Sequence, residues 1–95
     1  MRIIGGKNRG THLADLGAGD EIAHLRPTTD RVRESIFNLL INGGYGDPIT
    51  DARVLDMFAG TGALGFEALS RGASYVLFVD DGVKSRALIR QNTDI

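Results

Sequence analysis

The alternation of apolar and polar residues predicts a strand–helix–strand unit in the second half of the chain. Residues 54–58 and 75–79 are short, nearly continuous apolar runs, typical of strands buried in a parallel sheet. The segment 63–71 between them has the composition of a helix and is followed by Gly72, which suits a helix terminus. The pattern therefore predicts two parallel strands joined by a helix. A further helix is predicted over about 83–92, with Val83, Ala87 and Leu88 on one face and Asn92 as a possible cap.

The first half of the chain predicts a hairpin and one amphipathic helix. Residues 2–5 and 11–16 have strand character and are joined by a turn rich in Gly and Asn. Pro27 leads into a helix that Thr28 or Thr29 would cap. This helix is predicted to bury the apolar face formed by Val32, Ile36, Leu39 and Leu40. It is predicted to end at Asn42-Gly43-Gly44, where Gly43 or Gly44 would adopt the left-handed conformation.

Composition narrows the class of protein. With 95 residues, 42% apolar and 24% charged, the chain fits one globular domain or part of one. No apolar run approaches the roughly 20 residues of a membrane span, and no secretory signal opens the chain, so a cytoplasmic location is expected. Cysteine is absent and the two histidines are isolated, so no disulfide and no metal site are expected. The net charge is −1, but residues 1–14 carry Arg2, Lys7 and Arg9 and no acid, and the sequence alone favours a solvated basic face there.

The most specific motif is Gly60-x-Gly62-x-x-Gly65 between the first predicted strand and the helix. Glycines at such a turn let the backbone approach a ligand closely. Asp80 ends the next strand, 18 residues beyond Gly62, near the ~20-residue offset of an acid that binds ribose hydroxyls. A nucleoside-containing cofactor is therefore predicted. Asp56 interrupts the first strand, and a buried carboxylate needs hydrogen-bond donors; such an acid favours a positively charged cofactor over a dinucleotide.

These residues resemble a known family. Asp56 with the three glycines resembles the first motif of class I S-adenosylmethionine-dependent methyltransferases. Segments 1–10, 26–40 and 58–73 are similar to the RsmD family, bacterial enzymes that methylate the N2 amine of a guanine in small-subunit ribosomal RNA. The resemblance implies an α/β chain, the N-terminal part of a Rossmann-like class I methyltransferase fold. It would comprise an N-terminal β-hairpin arm and loop (1–25) and a partial cofactor-binding domain (26–95).

The resemblance also implies functional residues. Ten residues would bind S-adenosyl-L-methionine: Thr28, Thr29, Asp56, Phe58, Ala59, Gly60, Thr61, Gly62, Asp80 and Asp81. Of the two aspartates that follow the second strand, one would accept hydrogen bonds from the ribose. Four basic residues would contact ribosomal RNA or a partly assembled small subunit: Arg2, Lys7, Arg9 and Arg31. Gly65 is expected to be structural.

The chain departs from the family pattern in one respect. The family's catalytic motif is an Asn or Asp followed by Pro-Pro and an aromatic residue, and the only prolines here are the separated Pro27 and Pro48. No catalytic residue is therefore assigned, and these 95 residues alone are expected to be inactive as a methyltransferase. Two alternatives stay open: a fragment of an oxidoreductase that binds NAD or FAD, and a non-enzymatic RNA-binding module that uses the basic arm.

Overall fold

The computed structural model describes residues 1–14, 29–57, 59–80 and 82–93. The elements follow in the order α1 (Asp30–Asn42), β1 (Arg53–Met57), α2 (Ala63–Ser70), β2 (Tyr75–Val79) and α3 (Val83–Thr93). β1 and β2 pair in parallel, with Val54 opposite Val76. The strand–helix–strand unit predicted from the apolar pattern is thus confirmed.

The predicted boundaries differ from the observed ones by one residue. β1 starts at Arg53 rather than Val54, and its described part ends at Met57. α2 ends at Ser70, with Arg71 as its cap, and α3 continues to Thr93. Gly72 follows α2 with φ of 111°, as expected of a glycine at a helix terminus. Gly44, not Gly43, has the positive φ after α1.

The buried face of α1 is only in part the one predicted. Val32 and Leu39 are 48% and 57% exposed, whereas Phe37 and Arg33 are buried. Ile36 and Leu40 of the predicted face do pack, in part, against the core. The apolar pattern failed because it treats arginine as a solvent-facing residue. Arg33 is completely buried, and its Nε donates to Oε1 of Glu67 on α2 at 3.3 Å.

The amino-terminal arm, defined here as residues 1–14, forms less strand than predicted. Its antiparallel pairing is a single bridge between Arg2 and His12, flanked by hydrogen bonds from Ile3 N to Thr11 O and from Leu13 N to Met1 O, both 2.9 Å. The remainder of the second predicted strand, residues 15 and 16, lies outside the described residues, as does the predicted loop 17–25. The side chains of Ile3 and Leu13 are buried against Phe66 of α2. The arm therefore packs on the helix that follows the glycine motif.

The apolar core lies between α1, α2 and one face of the sheet. Phe37, Ile49, Ala68 and Ala73 are its fully buried members, and Val54 and Val76 pack against them from the strands. The opposite face carries alternate strand residues that are about half exposed: Leu55, Met57, Tyr75, Leu77 and Val79. Within the described residues, the helices therefore cover one face of the sheet and leave the other exposed.

The prediction for α3 is correct in part. Leu88 is buried, Ala87 is exposed, and the side chain of Val83 lies outside the described set. Among the side chains of α3 that the structure describes, the other two buried ones are polar, Ser85 and Asn92. Within the described ranges, no helix is long and apolar enough to cross a membrane.

Candidate functional site

The glycine motif forms a tight loop between β1 and α2. Gly60 and Gly62 both have positive φ, 59° and 84°, a backbone conformation that residues other than glycine rarely adopt. Gly62 N donates to Ala59 O at 2.8 Å, and Ala59 N donates to Val79 O at 3.0 Å, which anchors the loop to the end of β2. A Cβ on Gly62 would lie 2.7 Å from the Phe66 ring, whereas a Cβ on Gly60 would meet nothing within 4 Å. The backbone at Gly60 is therefore open to a ligand.

Asp80 lies at the end of β2 and holds this loop. Its Oδ2 accepts from Gly60 N at 2.9 Å, and its Oδ1 accepts from Gly82 N at 2.8 Å. These bonds, from Gly82 first and then Gly60, hold the pKa of Asp80 below its usual value, so the carboxylate is ionised at neutral pH. The Ser85 hydroxyl also hydrogen-bonds to this carboxylate. Because two carboxylate oxygens offer about four acceptor positions, the group can still accept from a hydroxyl of a bound ligand.

Asp56 is the buried acid of β1. Only 8% of it is exposed, and its Oδ2 accepts from Gly65 N at 3.0 Å. The sequence predicts that this carboxylate has donors nearby, and the Gly65 amide is one. Burial raises the pKa of Asp56 above its usual value, although the Gly65 hydrogen bond opposes this and the negative charge of Asp80 adds to it. A cation placed beside Asp56 and Asp80 would be favoured by both charges.

Gly65 has the structural role expected of it. A Cβ at this position would lie 2.3 Å from Cε1 of Phe78 and 2.8 Å from Cγ1 of Val76. Its lack of a side chain lets α2 pack closely on β2 and brings its amide to Asp56. Phe66 is buried, and its ring lies at a tilt against that of Phe78 with centroids 4.7 Å apart.

The remaining predicted cofactor residues fall into three groups. Ala59 and Thr61 lie in the glycine loop, and Thr61 is buried. Thr29 is the N-cap of α1, where its Oγ1 accepts from Val32 N at 3.2 Å. Three predicted positions lie outside the described residues: Thr28, Phe58 and Asp81.

The four residues predicted to contact RNA are all exposed: Arg2, Lys7, Arg9 and Arg31. Arg2 and Arg9 line one shallow concavity of the arm together with Glu34 of α1. Arg2 Nε lies 3.7 Å from Oδ2 of Asp30, a half-exposed ion pair that leaves the guanidinium accessible. Three of these residues, Arg2, Lys7 and Arg9, belong to the arm, and the arm's backbone is held on α2 by the hydrogen bond from Lys7 N to Ser70 O, 2.7 Å.

Two buried polar residues organise this region: Glu67, for which the sequence predicted no role, and Asn92, which it predicted as a possible cap and, through the family resemblance, as a structural residue near the active site. Glu67 is completely buried in the middle of α2 and accepts from Ile4 N and Gly5 N, both at 2.9 Å. Asn92 is buried and contacts the arm and the glycine loop instead of capping α3. A charged residue within the otherwise apolar run of α2 is the signal that could have identified Glu67, because a buried charge requires partners.

Comparisons with known proteins agree with this arrangement. The chain is 47% identical over 91 residues to ribosomal RNA small subunit methyltransferase D of Escherichia coli K12, covering 95% of this chain and 41% of that protein. It superimposes on the solved Thermus thermophilus protein TTHA0928 with a TM-score of 0.76 and 35% identity, covering 99% of this chain and 48% of that one. An E. coli structure, yhhF, which is named provisionally as a methyltransferase, gives a TM-score of 0.74 and 38% identity, covering 99% and 45%.

The fold and the glycine loop define the class: the N-terminal part of a Rossmann-like methyltransferase fold. The family model described as "Conserved hypothetical protein 95" matches residues 1–95. The chain therefore belongs to the RsmD family, as the sequence resemblance predicted. It spans a little under half the length of the relatives it matches. Membership of a methyltransferase family implies a methyl donor and disfavours the alternative of an NAD- or FAD-binding oxidoreductase.

Proposed function

We propose that this chain is the cofactor-binding part of an S-adenosylmethionine-dependent methyltransferase that acts on the N2 amine of a guanine in small-subunit ribosomal RNA. The observation that carries the proposal is the hydrogen bond from Gly60 N to Asp80 Oδ2, 2.9 Å, at the carboxyl ends of two parallel strands. Ligands of open α/β sheets bind at this edge. Such an enzyme would act in the cytoplasm, where ribosomal subunits are assembled.

The residues present fit this cofactor. The open space at Gly60 would admit the ligand against the loop backbone, and Asp80 would accept hydrogen bonds from the ribose hydroxyls. The carboxylates of Asp56 and Asp80 would favour its positive charge. The other loop residues, Ala59, Thr61 and Gly62, would complete the side of the cofactor site that the glycine loop forms. Thr28, Thr29, Phe58 and Asp81 are assigned to the same site on the family resemblance alone.

Bound S-adenosylmethionine would supply an activated methyl group, and the task of these residues is to bind and orient it. Holding the two reactants in a fixed geometry accounts for much of the catalysis of such a transfer. The base that receives the methyl group would have to leave its stack to reach the site. We assign no residue of this chain to the contact with that base.

The proposed RNA contacts come from the arm. Arg2, Lys7 and Arg9 are exposed on a segment whose backbone is fixed to α2, and Arg31 lies nearby on the first turn of α1. Guanidinium and ammonium groups would bind phosphates without reading sequence. A purely RNA-binding role for the arm would leave the Asp56–Gly60–Asp80 arrangement unexplained.

The test is methyl transfer by the full-length protein from isotope-labelled S-adenosylmethionine to small-subunit ribosomal RNA, offered both as free RNA and as partly assembled subunits. The labelled RNA is digested to nucleosides and analysed by mass spectrometry. Labelled N2-methylguanosine would support the proposal. Label confined to a different nucleoside would contradict the guanine assignment. If neither the free RNA nor the partly assembled subunits become labelled, the proposed activity is wrong.

A further inference from the structure

The arm is held at one end by the second half of α2. Glu67 accepts the backbone amides of Ile4 and Gly5, and Ser70 Oγ donates to Gly5 O at 2.6 Å. Asn8 N in turn donates to Ser70 Oγ at 2.8 Å. The basic residues of the arm are therefore carried by a backbone in a defined position, on the same helix whose first residue follows the glycine loop.

The other end of the arm meets the glycine loop through Asn92. The Oδ1 of Asn92 accepts from Ala14 N at 2.6 Å, and its Nδ2 donates to Ala14 O at 3.0 Å and to Thr61 O at 3.3 Å. Asn92 is 4% exposed and Thr61 2% exposed, so these bonds are shielded from water. A second contact joins the same two parts: Thr61 Oγ1 lies 3.6 Å from the Met1 sulfur.

The arrangement has a mechanical consequence. Thr61 stands between Gly60 and Gly62, the two loop residues with positive φ, so the position of its carbonyl fixes the turn that would face the cofactor. Both ends of the arm are attached to that turn, one through α2 and one through Asn92. A ligand that stabilises the arm in this position would thereby stabilise the loop, and linkage makes this effect reciprocal.

We infer that Asn92 is a positioning residue that couples the arm to the glycine loop, so that RNA held by the arm raises the affinity of the loop for the cofactor. This inference rests on the proposed function. The inference goes beyond the proposed function because it assigns a role to Asn92, which is not among the residues proposed to contact the cofactor or the RNA.

The experiment is calorimetric titration of the full chain with S-adenosylhomocysteine, without and with a saturating short RNA hairpin, in wild type and in Asn92→Ala. Because the side chain makes about one net hydrogen bond to the loop, Asn92→Ala should weaken binding about fivefold. In wild type, RNA should tighten binding by about fivefold or more, the lower end of typical couplings between sites. Asn92→Ala should remove this enhancement.

Two further variants separate coupling from loss of structure. Gln91→Ala changes the exposed neighbour on α3 and should keep the wild-type enhancement. Ala14→Pro removes the amide that Asn92 Oδ1 accepts while the side chain of Asn92 and its bond to Thr61 stay in place, and it should also abolish the enhancement. Ala14→Pro gives the same readout if Asn92→Ala does not fold.

The outcomes are distinct. An RNA-dependent gain in affinity that is lost in Asn92→Ala and Ala14→Pro but kept in Gln91→Ala supports the inference. Binding of S-adenosylhomocysteine by wild type with no effect of RNA, or an effect that survives in Ala14→Pro, overturns it and leaves the proposed function intact. Failure of wild type to bind S-adenosylhomocysteine overturns the proposed function and this inference together.

Discussion

Replacing Glu67 by Gln should destabilise the protein more than any surface substitution. The Glu67 carboxylate is completely buried and forms ion pairs with two arginines, with Arg33 Nε 3.3 Å from Oε1 and Arg71 Nε 2.8 Å from Oε2. Each oxygen also accepts one backbone amide of the arm. The glutamine side chain has nearly the same shape, but it carries no charge and presents an NH2 group to one of these donor pairs.

The expected magnitude follows from the burial. Removing one charge of a buried ion pair typically costs about 3–5 kcal/mol, because the remaining charge stays buried without its counter-ion. Arg33 keeps a hydrogen bond to Asp30, and Arg71 is slightly exposed, so a value near the lower limit is expected, about 3 kcal/mol. This is a large part of the roughly 5–15 kcal/mol that stabilises an ordinary domain.

The assay is equilibrium unfolding in urea, with Glu34→Gln as the matched control. Glu34 is exposed on α1, so its replacement should change the free energy of unfolding by about 0.5 kcal/mol or less. Hydrogen exchange at Ile4 and Gly5 should also accelerate in Glu67→Gln, since their amides lose an ionised acceptor. A loss of stability in Glu67→Gln no larger than that of Glu34→Gln would refute the account of α2 as the anchor of the arm.

Three further outcomes are expected. Gly62→Ala and Gly10→Ala both place a side chain at positive φ, which costs about 1–2 kcal/mol, but only the Cβ at Gly62 would meet a ring; urea unfolding should show the larger loss at Gly62, and equal losses would contradict the loop packing. Because burial raises the pKa of Asp56, ionisation of this carboxyl opposes folding, and Asp56→Asn should be at least as stable as wild type at pH 7. This advantage should vanish as the pH falls below the pKa of Asp56 in the unfolded chain, near 3.8. A difference in stability that stays constant across pH would count against a buried, ionised Asp56. The pKa of Asp80 is lowered, so its contribution to stability is present above about 3.8 and lost as the pH falls through its folded pKa; Asp80→Asn should show a shallower acid dependence in thermal melts, and an unchanged acid limb would contradict the Gly60 and Gly82 bonds.

The strand–helix–strand unit and its loop could be predicted because their signals are local. All of these signals lie within residues 54–80: two apolar runs, a glycine motif between them and an acid at the end of the second run. Together they determine the order of the elements. The positive φ of Gly60 and Gly62 and the close packing at Gly65 follow from residue type at known positions in such a turn.

The errors arise where partners are distant in sequence. The orientation of α1 depends on the pairing of Arg33 with Glu67, 34 residues away, and no periodicity reports such a pair. The role of Asn92 likewise depends on Ala14, 78 residues earlier. The arm forms one bridge instead of two strands because its turn begins directly after Ile3: Gly10 N donates to Ile3 O, and Thr11 N donates to Asn8 O within the turn instead of pairing with the first segment.

The Asp56–Gly60–Asp80 arrangement is proposed to bind S-adenosylmethionine. Calorimetric titration tests this directly, with S-adenosylhomocysteine and, separately, NADH added to the full chain in wild type and in Asp80→Ala, and with folding of each protein checked by circular dichroism. Wild type should bind S-adenosylhomocysteine saturably and should not bind NADH, and folded Asp80→Ala should lose the binding of S-adenosylhomocysteine. Binding of NADH instead, or affinity for S-adenosylhomocysteine that survives in Asp80→Ala, would refute the proposed cofactor site.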